Sequence, residues 1–82
     1  MQVFITKKAG KEMDDIPDPL AKNIVQRLTG LADNLYPANS KKLAGENNYR
    51  MRIGVYRAIY AVNSKSKSVT VLRIAHRKEV YR

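Results

Sequence analysis

Apolar residues in this chain fall into two regimes. In the first forty residues they recur at helical spacing. From Tyr49 onward they alternate with polar ones, the period of a half-buried strand. Gln2 to Thr6 opens as a short strand, with Val3 and Ile5 on one side and Phe4 on the other. Thr6 is placed to cap a helix from Lys7 to about Asp15 whose inner positions are Ala9, Met13 and Ile16. Ile16-Pro17 ends it, because a residue before proline is driven out of the helical region. Asp18-Pro19 then reads as a cap and first position of a second helix. Leu20, Ile24, Leu28, Leu31 and Leu35 give that helix one apolar stripe over four turns, and Tyr36-Pro37 stops it. Gly30 within it costs about 1 kcal/mol against alanine, so a local reason is expected.

Residues 38–48 read as loop, pinned to the core by Leu43. Tyr49–Ile53, Tyr56–Val62 and Val69–Ala75 read as strands, joined by Gly54-Val55 and by the polar hairpin loop NSKSKS. The expected fold is therefore α+β, in the order β-α-α-β-β-β. Its last three strands form an antiparallel meander, and a two-helix hairpin is packed on one face. The other face is left open. Eighty-two residues make one small domain, 1–82, with a thin core. With no cysteine, neither a disulfide framework nor a thiolate metal site supports it. The opening MQVFITKKAG is too short an apolar run for a secretory signal, and no segment approaches a membrane span. A cytoplasmic protein with no membrane association is expected.

Charge sharpens this picture. The formal net charge is +9. Lys7, Lys8, Lys11, Lys22 and Arg27 balance Glu12, Asp14, Asp15, Asp18 and Asp33, so all of the excess lies in residues 41–82. There the arginines sit on alternate strand positions. Arg50 and Arg52 share one face, opposite Met51 and Ile53. Arg57 shares a face with Ile59 and Ala61. Arg73 shares parity with Val69, Val71 and Ala75, and Arg77 extends it. A single strand arginine is usually a solvated residue that guards against edge pairing. Four or five together, with zero net charge elsewhere, point to a polyanion, and nucleic acid is the commonest one. Guanidinium forks match phosphate oxygens and stay charged at any cellular pH. They also suit the extra charge of a phosphorane formed when RNA is cleaved by its own 2′-hydroxyl. Tyr81 offers a ring for stacking an unpaired base. His76 is the one side chain that titrates near neutrality unaided, and its parity with Leu72 and Ile74 suits a partly buried structural histidine better than an acid or base. No metal or other cofactor is expected, since one histidine and no carboxylate cluster accompany the basic surface.

The run KKLAGENNYRMRIGVYRAIYAV, followed by VTVLRIAHRKEVYR, resembles the RelE/ParE toxin superfamily, on the RelE side. The shared pattern is Lys-Leu-x-Gly, then Tyr-Arg-x-Arg-x-Gly-x-Tyr-Arg-x-x-Tyr, then an apolar strand ending in His-Arg-x-x-Val-Tyr. The resemblance implies a toxin of a type II toxin–antitoxin pair that enters the ribosomal A site and cleaves mRNA. It assigns Arg50 and Arg52 to the paired basic residues of the first meander strand and Arg57 to transition-state stabilisation. Arg77 is the late arginine and Tyr81 the substrate-orienting tyrosine, while Lys41, Lys42 and Arg73 add RNA-binding charge. The paired residues are lysines in the best-known members. Arginine deprotonates with far more difficulty, so its role here is electrostatic, and the proton acceptor is either His76 or a ribosomal group. The implied partners are the ribosome, mRNA and an acidic RelB-like antitoxin, through which the complex would bind operator DNA. A ParE-like gyrase poison of the same fold and a non-catalytic RNA-binding module are the competing readings.

Overall fold

The computed structural model describes residues 1–43 and 48–76. Strand β1 (Gln2–Ile5) leads into helix α1 (Lys7–Asp14), then helix α2 (Leu20–Thr29). Strands β2 (Ser40–Lys42), β3 (Asn48–Ile53), β4 (Tyr56–Asn63) and β5 (Ser68–His76) follow. They form a five-stranded mixed sheet in the order β1-β5-β4-β3-β2. The expected α+β architecture and the β3-β4-β5 meander are present. Strand β1 joins by parallel pairing with β5, Val3 opposite Val69 and Ile5 opposite Val71. The two helices between β1 and the meander make that parallel return possible.

The caps follow the sequence in one helix and depart from it in the other. Thr6 caps α1 as expected, its hydroxyl accepting the Ala9 N–H at 3.1 Å and donating to the Leu72 carbonyl at 3.1 Å. Asp18 does not cap α2. Pro19 occupies the cap position without a side-chain hydrogen bond, and the Pro17 carbonyl accepts the Ala21 N–H at 3.1 Å instead. The α-helix also stops at Thr29, short of Leu35. At Gly30 it tightens into a single 3-10 turn, Gly30–Ala32, where the Gly30 carbonyl takes both the Asp33 and Asn34 N–H groups. Leu31 stays buried through that turn, Leu35 is partly buried, and Leu20, at the far end of the expected stripe, is exposed.

One face of the sheet carries the core. Met51, Ile53, Ala58, Tyr60, Val69, Val71 and Ile74 pack against Ala9, Ile16, Ile24, Leu28 and Leu31. Each fully buried aliphatic side chain contributes about 1.5–3 kcal/mol. Tyr60, wholly buried, donates its phenol to the Leu35 carbonyl at 2.7 Å and so ties the sheet to the segment after the helices.

Two features of the sheet bear on the site. Residues 38–48 are not all loop, because Ser40–Lys42 pairs with β3 as an edge strand. A strand of serine and two lysines shows no apolar alternation, since its pairing is made by the backbone. In addition, β5 carries a bulge. Ile59 pairs with Arg73 while Tyr60 pairs with Val71, leaving Leu72 without a partner. Strict alternation therefore breaks there. Val71 and Ile74 both face the core, and Arg73, which unbroken parity placed with Val69, Val71 and Ala75, lies on the other face with Ala75.

Candidate functional site

The register settles which arginines meet. Arg52 stands directly opposite Arg57, and Arg50 lies opposite Ile59 on β4 and Lys41 on β2. Met51 and Ile53, between and beyond the β3 arginines, are buried on the helix side, so Arg50, Arg52 and Arg57 all project from the other face. There they line a cleft of about 280 Å³ together with Ala38, Asn39, Ser40 and Lys41.

Exposure is graded across the cleft. Arg52 is exposed, Arg50 is half-buried, and Arg57 is only 2% exposed. This corrects the expectation that all three lie on an open face. Among the described residues Arg57 donates one hydrogen bond, to the Tyr56 carbonyl at 3.1 Å, and it faces Arg52 across the strand pair. Like charges placed directly opposite are destabilising, and burying one of them adds a desolvation cost. An anion bound in the cleft would offset both. The cleft is therefore a candidate anion site.

Asn39 is a site residue that the sequence reading passed over. Its carbonyl accepts the Arg52 N–H at 3.1 Å, and its side-chain Nδ2 donates to the Arg52 carbonyl. Arg52 is therefore held by its backbone on both sides. Ser40, also in the cleft wall, is fixed by its hydroxyl and its N–H, which donate to the Pro37 carbonyl at 2.7 and 2.9 Å. The only signal in the sequence was an asparagine in the polar stretch before the paired lysines, which reads equally as a turn residue.

The other candidates are divided between places. Lys41 lies in the cleft, whereas Lys42 pairs with Tyr49 and so projects from the opposite face of β2. Arg73 is opposite Ile59 in register, but its guanidinium is held by Glu12 of α1, with N–O distances of 3.0 and 3.3 Å. The other Glu12 oxygen accepts the Ile74 N–H at 2.9 Å, so this carboxylate braces the strand beside the bulge. His76 does not join the arginines. It pairs with Tyr56, one residue out of step with Arg57, and the two rings meet edge-on at 5.7 Å. It lines a separate cavity of about 350 Å³ with Glu12, Asp15, Ile16, Tyr56, Ile74 and Ala75. Arg77 and Tyr81 lie outside the described residues. Among the described residues, no group of three or more His, Cys, Asp or Glu side chains could hold a metal ion. No helix among them is long and apolar enough to cross a membrane.

The family model described as the ParE toxin of the type II toxin–antitoxin system parDE matches residues 3–81. The chain belongs to this toxin family. It is accordingly a type II toxin, and the RelE/ParE membership expected from the Tyr-Arg-x-Arg pattern holds at the level of the superfamily. Solved structures agree. The toxin resembles the archaeal RelE–RelB complex from Pyrococcus horikoshii at 29% identity and a TM-score of 0.84, over 93% of each chain. It resembles the RelBE2 toxin–antitoxin complex of Mycobacterium tuberculosis at 25% identity and a TM-score of 0.81, over 93% of this chain and 96% of that one. The chromosomal ParDE system from P. aeruginosa shares the fold at 18% identity and a TM-score of 0.77, over 93% and 95% of the two chains. No curated protein sequence matches the chain.

Proposed function

We propose that this toxin is a ribosome-dependent mRNA endoribonuclease, neutralised by an acidic RelB-like antitoxin. The observation that carries the reading is the convergence of Arg50, Arg52 and the buried Arg57 on one cleft. In the proposed reaction an mRNA 2′-oxygen attacks the adjacent phosphorus. Its proton passes to a base, the bond to the 5′-oxygen breaks, and the leaving oxygen takes up a proton. Arg57, desolvated and with further N–H donors beyond the one given to Tyr56, stabilises the charge that grows on the phosphorane oxygens. Arg50 and Arg52 hold the flanking phosphate, and Asn39 fixes Arg52. Because His76 lines a different cavity, the proton acceptor in this reading is the ribosomal group. Arg77 and Tyr81 are proposed to complete the site as late arginine and substrate-orienting tyrosine, with Lys41 adding charge.

Relatives at 25–29% identity were solved as RelE–RelB complexes, which supports an antitoxin partner of that kind. A net charge of +9 calls for an acidic one, disordered in part when free. Operator DNA would be bound through that antitoxin, and the pair would act in the cytoplasm. Membership of the ParE toxin family favours a second reading, inhibition of DNA gyrase without RNA chemistry. Two assays run side by side separate them: cleavage of a translated mRNA, and supercoiling by purified gyrase. The proposal expects new 5′ ends within translated codons and unimpaired supercoiling. Gyrase inhibition without cleavage would replace it with the second reading.

A further inference from the structure

Three tyrosines form a column that runs from the core to the surface on the helix side of the sheet, the face opposite the arginine cleft. Tyr60 is wholly buried and fixed by its bond to the Leu35 carbonyl. Tyr49 stacks on it, with ring centroids 5.6 Å apart and planes 19° from parallel. Tyr36 leans on Tyr49 at 5.1 Å and 53°, and is itself 55% exposed. An exposed tyrosine is ordinarily free to turn. This one is backed by two rings, and its own N–H donates to the Asn34 side chain at 3.2 Å. The neighbouring Tyr49 phenol raises that of Tyr36 above its ordinary value of 10.0, with the nearby Lys42 ammonium acting in the other direction. Tyr36 is thus a preorganised flat surface with solvent on its free side and a cation close by.

Its place in the chain links it to the cleft. Ala38, Asn39 and Ser40, which wall the cleft, follow Tyr36 after a single proline. Strand β2 is the edge of the sheet, and its two lysines point to opposite faces. Lys41 projects into the cleft and Lys42 toward the tyrosine column. A strand of RNA needs cations for its phosphates and flat rings for its unpaired bases, in alternation. The edge supplies both in that order.

We propose that Tyr36, backed by Tyr49 and flanked by Lys42, is a second nucleotide subsite, which stacks an unpaired RNA base reached from the arginine cleft across the β2 edge. This inference rests on the reading of the cleft as an RNA site. Stacking on Tyr36 is tolerant of base identity, because every base presents a π-face. Lys42 contributes charge, not sequence preference.

The test uses the whole toxin and two labelled single-stranded RNAs, a dinucleotide that fits the cleft alone and a hexanucleotide long enough to span both places. Affinity is measured by fluorescence anisotropy at several salt concentrations. The hexanucleotide should bind more tightly than the dinucleotide. Tyr36→Ala and Tyr36→Leu should each weaken the hexanucleotide by on the order of ten-fold and leave the dinucleotide unchanged. Tyr36→Phe should behave as wild type, since stacking needs the ring and not the hydroxyl. Lys42→Gln should reduce the salt slope for the hexanucleotide by about 0.7. The proposal is overturned if the hexanucleotide gains nothing over the dinucleotide. It is equally overturned if Tyr36→Ala binds as wild type, or if Tyr36→Phe fails as badly as alanine, which would assign the effect to the hydroxyl and not to the ring. Arg50→Gln and Arg52→Gln report on the cleft separately. If they leave both RNAs unaffected, the cleft reading fails whatever Tyr36 does.

Discussion

Replacing Arg57 with methionine should make the toxin more stable and inactive at once. Arg57 is 2% exposed, stands opposite Arg52, and among the described residues makes one hydrogen bond, to the Tyr56 carbonyl. Removing the directly opposed like charge returns up to about 1 kcal/mol. Relieving the burial of an incompletely compensated ion returns about 1–3 kcal/mol. Against this stand the lost hydrogen bond, about 1 kcal/mol, and imperfect repacking of the new side chain, under about 1.5 kcal/mol. The net expectation is a gain of about 1 kcal/mol, which raises Tm by about 4–8 °C in a chain of this size. Thermal unfolding at low salt measures it. A second arm adds inorganic phosphate. An anion that binds only the folded state stabilises by RT ln(1 + [L]/Kd), so wild type should gain about 2.7 kcal/mol at a hundred-fold excess over Kd, and the variant clearly less. Cleavage should fall by a factor on the order of 10² to 10³, the usual worth of a donor aimed at transition-state charge. If Arg57→Met lowers Tm while the phosphate response is retained, Arg57 is a structural core residue and the reasoning fails.

Tyr60→Phe leaves the Leu35 carbonyl without its partner and should cost about 1–2 kcal/mol in denaturant unfolding. Burial also raises the Tyr60 phenol above 10.0, so the folded state favours its neutral form. That contribution is complete below about pH 10 and is lost as pH rises through the folded value. Wild type should therefore lose stability relative to Tyr60→Phe only above that pH. Glu12→Gln should cost no more than about 1 kcal/mol, since the Arg73 pair is partly exposed and an amide oxygen can still accept from Ile74. Glu12→Ala orphans the Ile74 N–H and should cost about 1–3 kcal/mol. Asn39→Ala should lower cleavage by on the order of ten-fold with little change in Tm, because it loosens Arg52 and leaves the core untouched.

Most of the scaffold could be read along the chain. The switch from helical to alternating spacing located both helices and the three meander strands, and Thr6 announced its own cap. Parity alone put Arg50 and Arg52 on one face. What escaped had no side-chain signature. Strand β2 is Ser-Lys-Lys and is held by backbone pairing with β3. The bulge at Leu72 occurs within an unbroken run of strand formers, and only the pairing of both its flanks reveals it. The burial of Arg57 was equally hidden, because arginine in a strand reads as solvated unless the surrounding packing is known. Asn39 escaped for a related reason. Its importance lies in two bonds to a residue thirteen positions away.

The most direct measurement is primer extension on an mRNA translated with wild-type toxin, and with Arg50→Gln, Arg52→Gln and Arg57→Met in parallel. The cleft reading predicts new 5′ ends within translated codons for wild type, lost or strongly reduced in all three variants, each still folded. Cleavage that persists undiminished in the three variants would contradict it, as would a wild-type toxin that makes no cuts where a control nuclease toxin does.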